Sequence, residues 1–285
     1  MKSALPVLSV LGVIVVLWYA AAVWLNAAWV HDQAGRAGVT VSFGDMVAQT
    51  MAEERPVLPA PHQVFAELGR SVFALPVTSK RSLVYHAWVT ISATLLGFAI
   101  GTGFGILLAV GIIHNKAMDL SVMPWAIASQ TVPILAIAPM IIVVLASVGV
   151  VGLVPKAVIS AFLSFFPVLV GMVKGLRSPE AGQLDLLATY NAGRGQVLWK
   201  LRLPAALPYL FASLKVGIAA ALVGAIVGEM PTGAVAGLGA RLLSGSYYGQ
   251  TVQIWAALFM AAMVAAGLVM IVGVVERIML KRMGS

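Results

Sequence analysis

Cysteine is absent from all 285 residues, which excludes disulfides, thiolate metal sites and a cysteine nucleophile. With no cysteine, redox chemistry gives no reading of the compartment. Charge is nearly as scarce. Asp, Glu, Lys and Arg make up 10% of the chain, against about 25% in soluble domains. So little charge cannot cover a surface facing water. Histidine occurs only at His31, His62, His86 and His114, in loops or near the ends of apolar runs, which gives a metal cluster little support. No Lys-Ser or Lys-Thr pair follows Gly97, Gly101, Gly103 and Gly105, so these glycines do not form a phosphate loop.

Apolar sequence is what the chain has in abundance. Hydrophobic residues are 61% of the total, the mean hydropathy is +0.99, and several uncharged stretches exceed the roughly 20 residues that cross a hydrocarbon core as a helix. The chain belongs in a lipid bilayer. Its net charge of +8 is scattered along the sequence, which argues against a nucleic-acid partner and for the bias of Lys and Arg toward cytoplasmic loops.

Six transmembrane helices are expected. The first apolar run, 4–30, follows a single Lys2. Ala20-Ala21-Ala22 offers small residues for signal-peptide cleavage, but the run exceeds the roughly 7–15 residues of a signal core. Residues 1–30 are therefore read as a retained first helix. A polar stretch, 31–84, carries charges of both signs and is read as an extracytoplasmic loop. In it, Pro59-Ala60-Pro61 precedes Val64, Phe65, Leu68, Val72 and Phe73, whose spacing suits an amphipathic helix on the membrane surface.

Residues 85–285 are read as a five-helix core. Its first span, 85–113, places Gly97, Gly101 and Gly105 on one face, where a neighbouring backbone can approach closely. The next segment, 120–148, contains Pro124, Pro133 and Pro139 and is expected to kink. A span over 151–173 comes after it. Residues 174–208 hold Lys174, Arg177, Glu180, Asp185, Arg194, Lys200 and Arg202, and form an extramembrane loop with helical content, stopped by Pro204 and Pro208. The last spans are 209–227 and 254–275, separated by a glycine-rich stretch.

With both termini cytoplasmic, eleven Lys and Arg residues lie inside and seven outside, five of the seven in the long first loop, which weighs less in the rule. That places loop 174–208 in the cytoplasm. Tyr247, Tyr248 and Trp255, like Trp18, Trp24, Trp29 and Trp88, read as interface aromatics.

The segment DLLATYNAGRGQVLWKLRLPAALP at 185–208 resembles the cytoplasmic signature of binding-protein-dependent ABC importer permeases. Counting back from Leu203-Pro204, Asp185 falls on the acidic position and Ala188 among the small residues. Asn191 stands where the family has glycine. Either the turn moves to Gly193, or Asn191 takes the left-handed conformation that asparagine tolerates. The sequences Leu58-Pro59-Ala60-Pro61, Val132 to Pro139, Phe165-Phe166-Pro167 and Leu203 to Glu229 resemble the nitrate, taurine and aliphatic-sulfonate branch, which also serves vitamin precursors.

The resemblance implies a type I ABC importer permease fold and a permease homodimer in the bacterial inner membrane, with a cytosolic ATP-binding subunit under each copy. An extracytoplasmic solute-binding protein delivers the solute, and alternating access moves it. A coupling helix is expected at about 188–198, with Tyr190, Asn191, Ala192, Gly193 and Arg194 as ATPase contacts. Arg194, Lys200 and Arg202 are otherwise ordinary cytoplasmic charge. The chain itself binds no cofactor, and ATP and Mg belong to the partner ATPase.

Polar groups interrupting apolar helices mark a candidate substrate path: Gln130 and Thr131 beside Pro133, with Ser129, Ser160 and Ser164 weaker. Glu229 is a further candidate because an acid near membrane depth is functional by default. Its alternative role is to cap amides of the glycine-rich loop.

An ion-coupled secondary transporter is the competing function, but it calls for central charge that these spans almost lack. An intramembrane enzyme lacks its nucleophile, base or metal ligands. The solute inclines toward a small nitrogen heterocycle or related organic molecule, with a sulfonate or other anion as the alternative.

Overall fold

The computed structural model describes residues 4–231 and 234–283, and among them every regular element is helical. Five helices are long and apolar enough to cross a membrane, and a bent pair makes a sixth crossing if it counts as one. The chain is an all-α membrane protein built from two compact units, residues 1–86 with 240–261, and residues 87–239 with 262–285.

The first unit contains α1 (Ala4–Ala37), α2 (Phe43–Ala52), α3 (Pro61–Gly69) with a wide π-helical turn at Arg70–Ala74, and the start of α12 (Thr251–Arg282). Helix α1 therefore extends past the expected apolar run. One buried polar side chain organises the proline-rich segment between α2 and α3. The Asn26 amide nitrogen donates to the Leu58 carbonyl at 2.8 Å, and its oxygen accepts from the Val57 N–H at 2.7 Å. Trp18 Nε1 donates to the Pro59 carbonyl at 3.0 Å, and the Thr251 hydroxyl to that of Pro56. Prolines leave this segment few donors of its own, so its carbonyls are satisfied by side chains from the helices around it. Trp18 also packs on Trp255 and Phe259, at ring separations of 5.0 and 5.9 Å. Trp18 and Trp255, read from the sequence as interface aromatics, are half-buried and form part of this unit's packing.

In the second unit, α7 (Leu153–Leu176) and α10 (Leu203–Glu229) run antiparallel and supply much of the core, with Ile159, Val168, Leu169, Leu176, Ala221 and Ala225 all buried. Helix α4 (Leu83–His114) lies along α7 through its glycines. A Cβ on Gly97 would sit 2.5 Å from the Ala157 carbonyl oxygen, one on Gly101 2.8 Å from that of Ala161, and one on Gly105 2.8 Å from that of Phe165. Steps of four on α4 thus meet steps of four on α7, and the backbones approach as the glycine spacing predicts.

The expected span at 120–148 is not one crossing helix. Helices α5 (Lys116–Ser129) and α6 (Ile134–Ser147) meet at 99°. Pro133 removes a backbone donor and drives Val132 away from the helical region, so the chain turns there. Pro204 and Pro208 have the opposite outcome. Helix α9 (Arg194–Val197) passes through a π-helical turn at Leu198–Arg202 directly into α10, so these prolines do not stop the helix. Proline suits the first turn of α10, and the wide turn ahead of it accommodates the missing donor.

Candidate functional site

Helix α8 (Ala181–Thr189) ends in a tight turn that includes most of the expected coupling residues. Asn191 has φ +50°, and it is the one non-glycine residue at positive φ among those described. Its N–H bonds to the Ala188 carbonyl at 2.9 Å, and the Ala192 N–H to that of Leu187 at 3.0 Å. These are the two bonds of a Schellman cap with asparagine in the position glycine usually takes. The turn is therefore at Asn191, and Gly193 keeps ordinary extended backbone as the residue before α9. The Gln196 side chain accepts from the Gly193 N–H at 2.9 Å and fixes the start of that helix.

A single helix over 188–198 is thus replaced by the end of α8, a turn and the start of α9. The left-handed residue makes a continuous helix impossible. Asp185, Ala188, Tyr190, Asn191, Gly193 and Arg194 are exposed and Ala192 is half-buried. Tyr190 is 76% exposed and Trp199 72%. Beyond the turn, the Arg202 guanidinium donates to the Leu176 carbonyl at the end of α7 at 3.1 Å, and Arg177 pairs with Asp119 of α5 at 2.7 Å.

The second feature is a buried carboxylate. Glu229, the last residue of α10, is 0% exposed. The Thr90 hydroxyl lies 2.9 and 3.0 Å from its two oxygens and accepts in turn from the Leu238 N–H at 2.9 Å. The Gly239 N–H donates to Glu229 Oε2 at 2.9 Å. Lys156 Nζ lies 3.9 Å from Oε1 and donates to the Ala236 carbonyl at 3.1 Å. Leu238 and Gly239 open α11 (Leu238–Tyr247), whose unpaired first amides suit an anion. Gly237 has φ +123°, and a Cβ there would run into the Glu229 carboxyl. The carboxylate caps the Gly239 amide directly and that of Leu238 through the Thr90 hydroxyl, both within the glycine-rich stretch.

The other path candidates are not gathered with it. Gln130 and Thr131 sit exposed at the elbow between α5 and α6, where the Thr131 hydroxyl bonds the Ala128 carbonyl at 2.8 Å and Gln130 Nε2 bonds Ser129 Oγ at 3.2 Å. Ser164 is buried against Gly101 at the α4–α7 contact. Ser160 donates to the Ala221 carbonyl at 2.6 Å. An apolar cavity of about 540 Å³ instead lies beside Lys156, lined by Ile142, Val143, Val151, Pro155 and Val235 among others.

Three partners escaped the sequence reading. Thr90, Asn26 and the Lys215–Glu276 ion pair between α10 and α12 lie within apolar helices, and only the fold brings their partners to them. Polar residues inside a long apolar run were the available signal.

Residues 101–285 match the family described as binding-protein-dependent transport system inner membrane component. The chain is 32% identical over 225 residues to the riboflavin transport system permease protein of Chloroflexus aurantiacus, across 79% of this chain and 80% of that protein. It is 30% identical over 221 residues to a probable ABC transporter permease protein of Haemophilus influenzae, across 78% and 85% of the two chains. Identity is 29% over 196 residues to the formylaminopyrimidine transport permease protein of Halalkalibacterium halodurans, across 68% and 72%.

Proposed function

The chain belongs to the family of binding-protein-dependent transport system inner membrane components, and we propose that it works as a homodimer whose two Asn191 turns dock on cytosolic ATP-hydrolysing subunits. It is the membrane-spanning permease of an ABC importer, a transport component rather than an enzyme. ATP and Mg bind the partner ATPase, and closure of the ATPase dimer draws the two turns together to alternate the pathway between inward and outward openings.

The observation that carries this reading is the capped turn itself. A rigid Schellman cap presents Tyr190, Ala192 and Arg194 in a fixed geometry, and α9 runs without a break into membrane helix α10. Small residues permit close approach, while an aromatic and an arginine supply the kind of anchors that dominate protein interfaces. Movement of the turn is conveyed to α10 through a continuous helical path.

Both termini are cytoplasmic in this reading, and Glu229 then lies at the extracytoplasmic end of α10, near where a solute-binding protein docks. The solute is a small organic molecule containing a nitrogen heterocycle. That class is supported by the relatives named for riboflavin and formylaminopyrimidine.

Reconstitution with the ATPase and the binding protein tests the assignment. Solute uptake into proteoliposomes is expected only with both partners and ATP; uptake by this chain alone defeats it. The cysteine-free background also allows Ala192→Cys to report topology. A membrane-impermeant maleimide should label it from the cytoplasmic side only, and labelling from outside reverses the orientation.

A further inference from the structure

The first unit contains a cavity of about 560 Å³ lined chiefly by Glu67, Arg70, Arg81, Arg241, Gln250 and Gln253. Its size falls within the roughly 300–1,000 Å³ of small-molecule sites. Three guanidinium groups face one carboxylate, and that carboxylate is already engaged. Glu67 accepts from the Ser71 hydroxyl at 2.9 Å and lies 3.6 Å from Arg70 Nε. The cavity wall therefore keeps an excess of positive charge.

Arg241 is the unusual member. It is half-buried, and Arg81 adds a second cation beside it, so desolvation and repulsion both push its guanidinium below the ordinary arginine value, with Glu67 opposing them. Its Nε is shut off from solvent with no hydrogen-bond partner among the described residues, and so is Gln253 Oε1. A buried donor on a cation is costly when bare. It is also half of the fork with which arginine grips an oxyanion through two parallel bonds.

We propose that this cavity binds a small oxyanion of the carboxylate, sulfonate or phosphate class, held by Arg241 through Nε–H and a terminal N–H, with Arg81 and Arg70 adding charge. The unpartnered Gln253 oxygen suits an anion that also carries an O–H or N–H group. Glu53 and Glu54, with Arg55, line the adjoining cleft of about 440 Å³, so the bound anion concentrates its charge at the Arg241 end. The site shares no residue with the Asn191 turn and does not depend on how that turn docks.

Equilibrium dialysis of the full chain in nanodiscs against radiolabelled sulfate, and separately against benzoate, tests it. At least one probe is expected to bind saturably, once per chain, and more weakly as salt rises. Arg241→Gln should weaken binding about tenfold or more. Arg81→Gln, at an exposed position where folding is not at stake, should weaken it by roughly threefold. Arg277→Gln, at an exposed site near the C-terminus, should leave it unchanged. Should Arg241→Gln fail to fold, Arg81→Gln decides. No saturable binding of either probe, or binding that the Arg241 and Arg81 substitutions leave intact, overturns the proposal.

Discussion

Glu229 closes α10 and accepts a 2.9 Å hydrogen bond from Gly239, the second residue of α11. The carboxylate lies at the C-terminal end of its own helix, where the helix dipole disfavours it, and at the N-terminal end of the next, where the dipole favours it. Thr90 from α4 and Lys156 from α7 tip the balance. Four segments thus meet at one buried charge.

Removing that charge should loosen all four. Glu229→Ala is expected to destabilise the folded chain by roughly 3 kcal/mol, since it removes the acceptor of the Gly239 amide and of the Thr90 hydroxyl and leaves Lys156 without its carboxylate. Glu229→Gln should cost less, because its amide oxygen still accepts from Gly239. Thermal unfolding in detergent measures both, and an unchanged midpoint for the alanine variant rules out a structural role for the carboxylate.

The glycine ladder gives a sharper contrast. Gly101→Val should prevent α4 from packing, because the added atoms meet Ser164 and the Ala161 carbonyl oxygen. Gly103→Ala, with nothing within 4 Å of its Cβ, should fold as well as the parent or slightly better. The yield of monodisperse protein after size exclusion distinguishes them. Equal yields would show that α4 and α7 are not in backbone contact.

At the turn, Asn191→Gly should preserve coupled transport and Asn191→Val should not. Glycine adopts φ +50° freely, whereas a β-branched residue pays roughly 1–2 kcal/mol or more there. The readout is ATPase association together with solute-stimulated ATP hydrolysis in the reconstituted complex. If the valine variant couples as well as the glycine one, the cap geometry is irrelevant to docking.

The Lys215–Glu276 pair predicts a rescue. Lys215→Met alone leaves Glu276 unpaired among apolar helices and should destabilise by about 2–4 kcal/mol, whereas adding Glu276→Leu should recover much of the loss. A double-mutant cycle on thermal stability reports the coupling. Additive effects would mean that the two charges do not interact.

Sequence alone disclosed the features that repeat or interrupt a period. The four-residue glycine step was readable because a helix returns to the same face every four residues. Asn191 was readable because few residue types tolerate a left-handed turn. Partnerships formed across the fold stayed hidden. Nothing near Asn26 in sequence indicates that its amide will hold Val57 and Leu58, 31 and 32 residues away. Nor does anything near Glu229 point to Thr90, 139 residues earlier. The prolines misled at only one of the two places: the kink expected in 120–148 is a 99° bend at 133, while those at 204 and 208, expected to stop the helix, sit inside a continuous one. Local rules give the cost of a proline, but the surrounding packing decides whether the chain bends or absorbs it.

The matched steps of four along α4 and α7 also bear on motion. To slide past one another, the two helices would have to move about 6 Å, one full rung, before small residues again faced carbonyls. Any lesser slip drives side chains into main chain. Helices α4 and α7 therefore travel as a single spar, and the flexing that opens and shuts the passage has to be found at other joints, such as the 99° elbow at Pro133.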